Sequence, residues 1–286
     1  MFVWSKLSAS KWSDAWEERF RGLPNVHPVI TAIPGRSTVR VEVYCERRKD
    51  ANAIHKMWGG SIRTLKKQNW AALSPPPPDP IKVRGRLVII SQRGNAAMAK
   101  ARKMFPGREI LSVPPEMAFG TGHHATTATV LRFITDAAED WRLEGRKWTM
   151  IDLGCGSGIL AMAARRLGAA SAWACDFDPD AVRVARDNIQ RNNVDGLTAD
   201  VVDVLKWKPK TRYDCVAANI FFDILVDIFP KLVRSVKKDG IVLVSGILST
   251  QADECLAAGR RAGLAFDRIV RKGKWVSARG RLAASQ

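Results

Sequence analysis

Asp152-Leu-Gly-Cys-Gly-Ser-Gly158 joins a short apolar run to a helix-like segment, and this stretch decides how the rest of the chain is interpreted. Residues 149–153 have the composition of a buried strand, and residues 159–167 have the apolar spacing of a helix. Glycines let the backbone turn tightly and approach a ligand without interference from a Cβ atom. Open α/β sheets bind ligands beyond the carboxyl ends of their strands, so we predict a ligand site at this loop.

Beyond the loop, strand-like and helix-like segments alternate to the end of the chain. We predict strands at residues 172–175, 213–218 and 241–245, followed in turn by helices at residues 180–192, 221–236 and 250–262. Strands that alternate with helices form a mostly parallel sheet with helices on both faces. Two final strands, at residues 265–270 and 274–278, have no helix between them, so we expect them to pair antiparallel at one edge of the sheet.

The spacing of the glycines indicates which ligand the loop binds. A dinucleotide fingerprint has glycine at its first, third and sixth positions, whereas the sixth position here is Ile159. Asp176 ends the next strand, 22 residues after Gly154, where a carboxylate can accept both ribose hydroxyl hydrogens of an adenosine. This arrangement is typical of S-adenosylmethionine-dependent methyltransferases, and the alternative is a tight turn that binds no nucleotide. The predicted cofactor contacts of the loop and the two acids are Asp152, Gly154, Gly156, Gly158 and Asp176.

A polar residue follows the strand predicted at residues 213–218, which corresponds to strand four of the fold class, in Val216-Ala-Ala-Asn-Ile-Phe-Phe222. In folds of this class the exit of strand four faces the transferable methyl group. The amide oxygen of Asn219 can hold a substrate amine by accepting one of its hydrogens, and Phe221 or Phe222 is expected to line the methyl channel. We therefore predict that Asn219 is catalytic. The alternative is that Asn219 caps the following helix.

The composition excludes several classes of protein. The 286 residues are 46% hydrophobic and 26% charged, which excludes a disordered or collagen-like chain. The five cysteines lack the close spacing of a metal site, so we interpret them as reduced and structural and predict no metal. No apolar run approaches the ~20 residues of a transmembrane helix. The N-terminus carries charges where a secretory signal would be apolar, so we expect a cytoplasmic protein.

The net charge of +18 is concentrated in the first part of the chain. Residues 1–110 contain 21 Lys and Arg against 8 Asp and Glu, and residues 111–286 contain 25 against 20. An excess of positive charge in one region suggests contact with an anionic partner such as RNA or a ribonucleoprotein. The alternative is that the charge serves only solubility.

Five motifs, in order along the chain, resemble the PrmA family of methyltransferases acting on large-subunit ribosomal protein eleven. The likeness covers about residues 80–286. The motifs are Ala118-Phe-Gly-Thr-Gly-His-His-Ala-Thr-Thr127, Asp152-Leu-Gly-Cys-Gly-Ser-Gly-Ile-Leu-Ala161, Cys175-Asp-Phe-Asp-Pro179, Ala218-Asn-Ile220 and Ser245-Gly-Ile-Leu248. The resemblance implies a class I S-adenosylmethionine-dependent methyltransferase fold, Rossmann-like with a mostly parallel seven-stranded sheet. It also implies a protein methyltransferase that modifies lysine side chains and terminal amines.

The resemblance adds residues to the predicted site. It implies that Thr127 and Asn219 lie at the cofactor. His123 or His124 could accept a proton, and His124 is the predicted catalytic residue because it matches the family motif better. A histidine in a glycine-rich loop can equally be a structural hydrogen-bond donor. The loop expected to close over the cofactor and the amine consists of Phe119, Gly120, Thr121 and Gly122.

Three segments are expected along the chain. Residues 1–74 are expected to form a small basic α/β domain, because residues 38–44 alternate like a strand and residues 50–58 resemble a helix. The resemblance implies that this domain recognises the substrate. Residues 75–110 contain a stiff proline run and connecting elements, and residues 111–286 form the catalytic domain. The alternative functions are an RNA methyltransferase, a lysine methyltransferase with another target such as electron transfer flavoprotein, and a ribosome-associated binding protein without activity.

Overall fold

The computed structural model describes residues 2–12, 16, 19–20, 28–33, 36–45, 47–64, 79–114, 122 and 124–284. The chain forms two compact units, Met1–Pro76 and Pro77–Gln286. The run of four prolines at residues 75–78 lies outside the described residues.

The first unit is built on a four-stranded antiparallel sheet in the order β2-β3-β1-β4. Its strands are β1 (Phe2–Ala9), β2 (Pro28–Ala32), β3 (Thr38–Cys45) and β4 (Ser61–Thr64), and helix α1 (Arg48–Trp58) packs against β1 and β3. In β3 the valines at 39, 41 and 43 are buried, whereas Arg40 is exposed. Trp4, Trp16 and Phe20 complete the core of this unit.

The second unit begins with a three-stranded sheet in the order β5-β6-β7. Its elements are β5 (Ile81–Val83), β6 (Leu87–Ile90), helix α2 (Asn95–Met104) and β7 (Glu109–Ser112). Strands β6 and β7 are parallel, and β7 lies at the edge of the sheet.

A seven-stranded sheet forms the centre of the second unit, in the order β10-β9-β8-β11-β12-β14-β13. Its strands are β8 (Thr149–Leu153), β9 (Ser171–Asp176), β10 (Leu197–Val201), β11 (Tyr213–Asn219), β12 (Val236–Leu248), β13 (Leu264–Lys272) and β14 (Trp275–Leu282). Strand β14 pairs antiparallel with both β12 and β13, and the other strand pairs of this sheet are parallel. The expected seven-stranded, mostly parallel sheet is therefore confirmed, with the last two strands antiparallel at one edge.

Helices cover both faces of this sheet. They are α3 (Ala125–Leu143), α4 (Ile159–Arg166), α5 (Pro179–Arg191), α6 (Phe222–Ser235) and α7 (Ala252–Arg261). Helices α3, α4 and α5 share one apolar core with Met150 and Ala217, and α6 and α7 share another with Ile151 and Val216. Because successive residues of a strand point to opposite faces, β8 and β11 contribute to both cores.

The connection from each parallel strand to its helix lies at the carboxyl ends of the strands, which places the glycine loop and the residues after β9 and β11 at one edge of the sheet. Strand β10 was not expected from the sequence. It is a short edge strand in which Thr198 and Val201 are exposed, so its apolar pattern is weak.

Within the described ranges, no helix is long and apolar enough to cross a membrane. The same residues contain no group of three or more His, Cys, Asp or Glu side chains placed to hold a metal ion. All five cysteines are free and buried, as expected of structural residues.

Candidate active site

A cavity of about 850 Å³ opens at the carboxyl ends of β8, β9 and β11. Its lining is mainly apolar, and it contains the acids Asp176, Asp178 and Asp203 but no Lys or Arg among the described residues. The chain as a whole carries +18. A cavity with this lining in a basic protein favours a ligand that combines an apolar group with positive charge.

The glycine loop forms one wall of the cavity. Gly154, Gly156 and Gly158 have positive φ angles of 72°, 50° and 75°, a region that side-chain-bearing residues rarely adopt. The loop is tied to β9, because the N–H groups of Gly154 and Cys155 both donate to the Cys175 carbonyl, at 2.8 and 2.9 Å. The turn after β8 is therefore held close to Asp176, at the end of β9.

Ile220, which follows Asn219, is enclosed by glycines from two different strand ends. A Cβ atom on Gly154 would lie 2.3 Å from Ile220 Cγ2, and one on Gly246 would lie 2.4 Å from the Ile220 carbonyl oxygen. Gly246 has a φ of 87° and lies where the register of β12 against β14 shifts. Bulges of this kind often redirect side chains next to active sites. The two glycines thus fix the backbone that carries Asn219.

Asp176 is 8% exposed, and both of its oxygens accept backbone N–H groups. Oδ2 accepts from Gly156 at 2.9 Å, and Oδ1 accepts from Asp178 at 3.1 Å. A carboxylate has about four lone-pair sites, so each oxygen retains acceptor capacity toward the cavity. Asp178 in turn caps α5 by accepting from Asp180 N at 2.9 Å. The acid predicted to hold a ribose is therefore rigidly oriented.

Asp152 is completely buried on β8, and neither of its carboxylate oxygens has a hydrogen-bond partner among the described residues. Burial raises its pKa to about 7, and the charge of Asp176 acts in the same direction. Desolvation disfavours the charged form of a carboxyl group. Near neutral pH this group is thus divided between the acid and the carboxylate.

We expect Asp152→Asn to increase the stability of the protein more at pH 8 than at pH 5. The folded-state pKa lies above the unfolded one, so the unfolded state binds fewer protons and stability falls as pH rises from about 4 to 7. The variant does not lose stability in this way. Its free energy of unfolding, relative to that of the original protein, should therefore rise by about 2–3 kcal/mol between pH 5 and 8. Urea unfolding of both proteins at the two pH values measures it. A gain that does not change with pH would contradict the raised pKa.

Asn219 ends β11 and lines the cavity. Its Nδ2 donates to Thr127 Oγ1 at 3.4 Å, and its Oδ1 is buried without a partner among the described residues. Buried acceptors are nearly always satisfied, so this oxygen, in a residue that lines the cavity, has capacity for one further donor. The N-cap of α6 is Phe221, without a side-chain cap bond; the capping alternative for Asn219 is therefore wrong.

His124 and Trp275 stand together on the cavity wall. His124 precedes α3, its Nδ1 lies 2.7 Å from Thr126 Oγ1, and its ring contacts Trp275 edge-on with centroids 5.0 Å apart. These contacts fix the orientation of the imidazole. Trp275 begins β14, about 150 residues later in the chain than His124, and nothing in the local sequence around Trp275 pointed to the site.

The structure brings six of the twelve predicted site residues to the cavity. Those that line it are His124, Thr127, Gly154, Gly156, Asp176 and Asn219. Asp152 and Gly158 lie behind the loop and not on the cavity surface, because Asp152 is fully buried in β8 and Gly158 packs against Ala185. Gly122 is also buried, against the side chains of Ile81 and Ile159. Phe119, Gly120 and Thr121 lie outside the described residues.

Phe221 lines the cavity and is 74% exposed, whereas Phe222 packs into the core beneath α6. Of the two phenylalanines expected to line the methyl channel, Phe221 is therefore the one that lines the cavity. Besides Trp275, sequence reasoning missed Phe177 and Ile224, which are also part of the lining. Phe177 belongs to the motif Cys175-Asp-Phe-Asp-Pro179 and directly follows the end of a strand, and that position was the available signal.

Comparisons with known proteins agree with this geometry. The family model described as ribosomal protein L11 methyltransferase (PrmA) matches residues 25–282. The chain is 35% identical over 224 residues to the ribosomal protein L11 methyltransferase of Pelotomaculum thermopropionicum, covering 78% of this chain and 69% of that protein. It is 34% identical over 266 residues to the one of Dechloromonas aromatica, covering 88% and 84%. The likeness begins well before residue 80, where the sequence motifs placed its start.

Among solved structures, the chain is similar to a ribosomal protein L11 methylase from Lactobacillus delbrueckii subsp. bulgaricus. The TM-score is 0.60 with 26% identity, over 72% of this chain and 99% of that one. These comparisons do not favour an RNA methyltransferase, an electron transfer flavoprotein target or a protein without activity. The RNA contact suggested by the charge distribution gains no support from them.

Proposed function

The chain belongs to the ribosomal protein L11 methyltransferase (PrmA) family, and from this premise we propose that it methylates lysine and terminal amino groups of ribosomal protein L11. It is an S-adenosylmethionine-dependent methyltransferase of the class I fold. The observation that carries the proposal is the oriented carboxylate of Asp176 beside the glycine loop, in a cavity that Asn219 also lines.

The lining of the cavity fits the cofactor. Asp176 would accept the ribose hydroxyls, and the apolar wall near Phe177 would cover the adenine. The backbone of Gly154 and Gly156 would approach the amino-acid part, since neither residue carries a side chain there. When bound, S-adenosylmethionine supplies an electrophilic methyl group on a positively charged sulfur. The acids of the lining and the absence of Lys and Arg among its described residues suit that charge.

Asn219 is suited to hold a neutral amine. A lysine with a pKa of ~10.4 must lose its proton to become a nucleophile, and at pH 7 this costs about 4.6 kcal/mol. A carboxylate beside the amine would stabilise the ammonium and increase that cost. An amide oxygen accepts one N–H of the amine without adding charge. We propose that Asn219 orients the amine in this way and that Thr127 holds the amide in place.

His124 is proposed to accept the proton that the amine releases. With its proton on Nδ1, the neutral imidazole donates to Thr126 Oγ1 and can take up a second proton. Contact with Trp275 keeps the ring in that orientation. The rest of the rate enhancement comes from alignment of the reacting groups, which requires no further acid or base.

We propose that the first unit recognises the protein substrate. It has its own aromatic core and an antiparallel sheet, and it belongs to the more basic part of the chain. In this proposal residues 1–74 are the substrate-recognition domain that the family resemblance implies, and residues 111–286 are the catalytic domain.

The experiment that tests the function incubates the purified chain with methyl-labelled S-adenosylmethionine and recombinant ribosomal protein L11. Mass spectrometry should show methyl groups on lysine or terminal amines of that protein, and Asp176→Asn should abolish them. Ribosomal RNA and electron transfer flavoprotein, supplied separately, serve as competing acceptors. If the label enters one of these and not ribosomal protein L11, the substrate assignment is wrong although the cofactor assignment stands.

A further inference from the structure

Two asparagines on the last turn of α5 and just after it, Asn188 and Asn192, are buried with exposed fractions of 0% and 2%. Both side chains bond to backbone atoms of distant segments. Asn188 Nδ2 donates to the Ser157 carbonyl at 3.0 Å, and Ser157 belongs to the glycine loop. Asn192 makes a two-way bond with Ser112, accepting from its N–H at 2.7 Å and donating to its carbonyl at 2.9 Å.

The bond between Asn192 and Ser112 replaces a missing strand neighbour. Ser112 is the last residue of β7, and β7 is the edge strand of its sheet. The primary amide of an asparagine offers one acceptor and two donor hydrogens, as a pairing strand offers N–H and C=O groups. The second hydrogen on Nδ2 goes to the Asn188 carbonyl at 2.8 Å. The two asparagines therefore form one connected group, and Arg191 fixes Asn188 by donating to its Oδ1.

Helix α5 contacts Asp176, the glycine loop and β7 at three positions along its length. Its N-cap residue, Asp178, donates its N–H to Asp176. In the middle, Ala185 lies against Gly158, where a Cβ atom would come within 3.1 Å. At its end, Asn188 holds Ser157 and Asn192 holds β7. A shift of the last turn would thus move the glycine loop relative to Asp176.

We propose that Asn188 and Asn192 are positioning residues that set the glycine loop for cofactor binding and couple it to the end of β7. They do not line the cavity and touch no reacting atom. The inference depends on the cofactor assignment but not on the identity of the methyl acceptor. If this proposal is correct, cofactor binding stabilises the hydrogen bond between Ser112 and Asn192, although Ser112 lies outside the cavity lining.

Calorimetric titration with S-adenosylmethionine tests the first part. Asn192→Asp replaces the donating Nδ2 with an oxygen that faces two carbonyls, and Asn188→Ser removes the bond to Ser157. We expect each variant to bind the cofactor at least 10-fold more weakly. The matched control is Asp214→Asn, because Asp214 is also buried and accepts from Arg146, Thr149 and Lys237 away from the cavity. It should lower the Tm while leaving the cofactor Kd within twofold of the original.

Hydrogen exchange of the unmodified protein tests the coupling and needs no variant to fold. The Ser112 N–H donates to the Asn192 side chain, so its exchange rate reports on that bond. Adding S-adenosylmethionine should slow it at least 10-fold, and the slowing should disappear in Asn188→Ser. Variants that lose Tm but keep the cofactor Kd, or a Ser112 amide that ignores the cofactor, would show that the two asparagines are merely structural. A chain that binds no cofactor at all would instead overturn the cofactor assignment.

Discussion

Asp176→Asn is expected to weaken S-adenosylmethionine binding by about 100-fold or more, equivalent to about 2.7 kcal/mol. Both carboxylate oxygens accept a backbone N–H, from Gly156 and from Asp178. An asparagine places an NH₂ group against one of these donors, so the turn loses a bond. The ligand loses a charged acceptor, and hydrogen bonds to charged groups contribute about 1.5–3 kcal/mol each. The loss of negative charge in a cavity built for a cation acts in the same direction.

Calorimetry on the purified variant measures this effect. The matched control is Asp200→Asn, because Asp200 lies near the end of the neighbouring strand β10, contacts Trp173 and Arg186, and is absent from the cavity lining. The control should bind the cofactor within twofold of the original protein. A Kd for Asp176→Asn within threefold of the original would remove the ribose-binding role of this acid.

The parts of the site that sequence reasoning located are those encoded in short contiguous stretches. The glycine loop and Asp176 each follow a strand whose apolar pattern is clear, and parallel strands bring their carboxyl ends together. Trp275 and the enclosure of Ile220 by Gly154 and Gly246 depend on contacts between residues far apart in the chain. Periodicity describes which way a residue faces and not which distant residue it meets.

The boundaries of helices and strands are also only partly predictable from periodicity. The apolar periodicity of residues 128–138 predicts a helix, whereas helix α3 begins three residues earlier, at Ala125. Its first turn contains Thr126 and Thr127, and β-branched residues are weak helix formers in isolation. Both threonines are buried, so tertiary packing overrides their low propensity. The complete burial of Asp152 was also not predictable, because an acid at a strand end is normally expected to face solvent or a ligand.

The second large effect concerns the chemical step. Asn219→Ala should lower kcat by about 100-fold while changing the cofactor Kd far less. The substitution removes the unpartnered Oδ1 that we propose for the amine, and a misplaced nucleophile costs on the order of 100-fold in rate. Single-turnover rates at saturating S-adenosylmethionine, with ribosomal protein L11 as acceptor, measure this step. Thr129→Val is the control, since the Thr129 hydroxyl bonds within α3 to the Ala125 carbonyl and lies outside the cavity lining.

Asn219→Asp separates the acceptor role of the amide from its lack of charge. A carboxylate can still accept an N–H of the amine, but it also stabilises the ammonium and raises the pKa of the substrate amine. The variant should therefore be slow at pH 7 and become faster as the pH approaches the pKa of the substrate amine. Its pH–rate profile should lie at higher pH than that of the original protein. A profile that merely falls at every pH would mean that the amide supports the fold of the cavity and does not orient a neutral nucleophile.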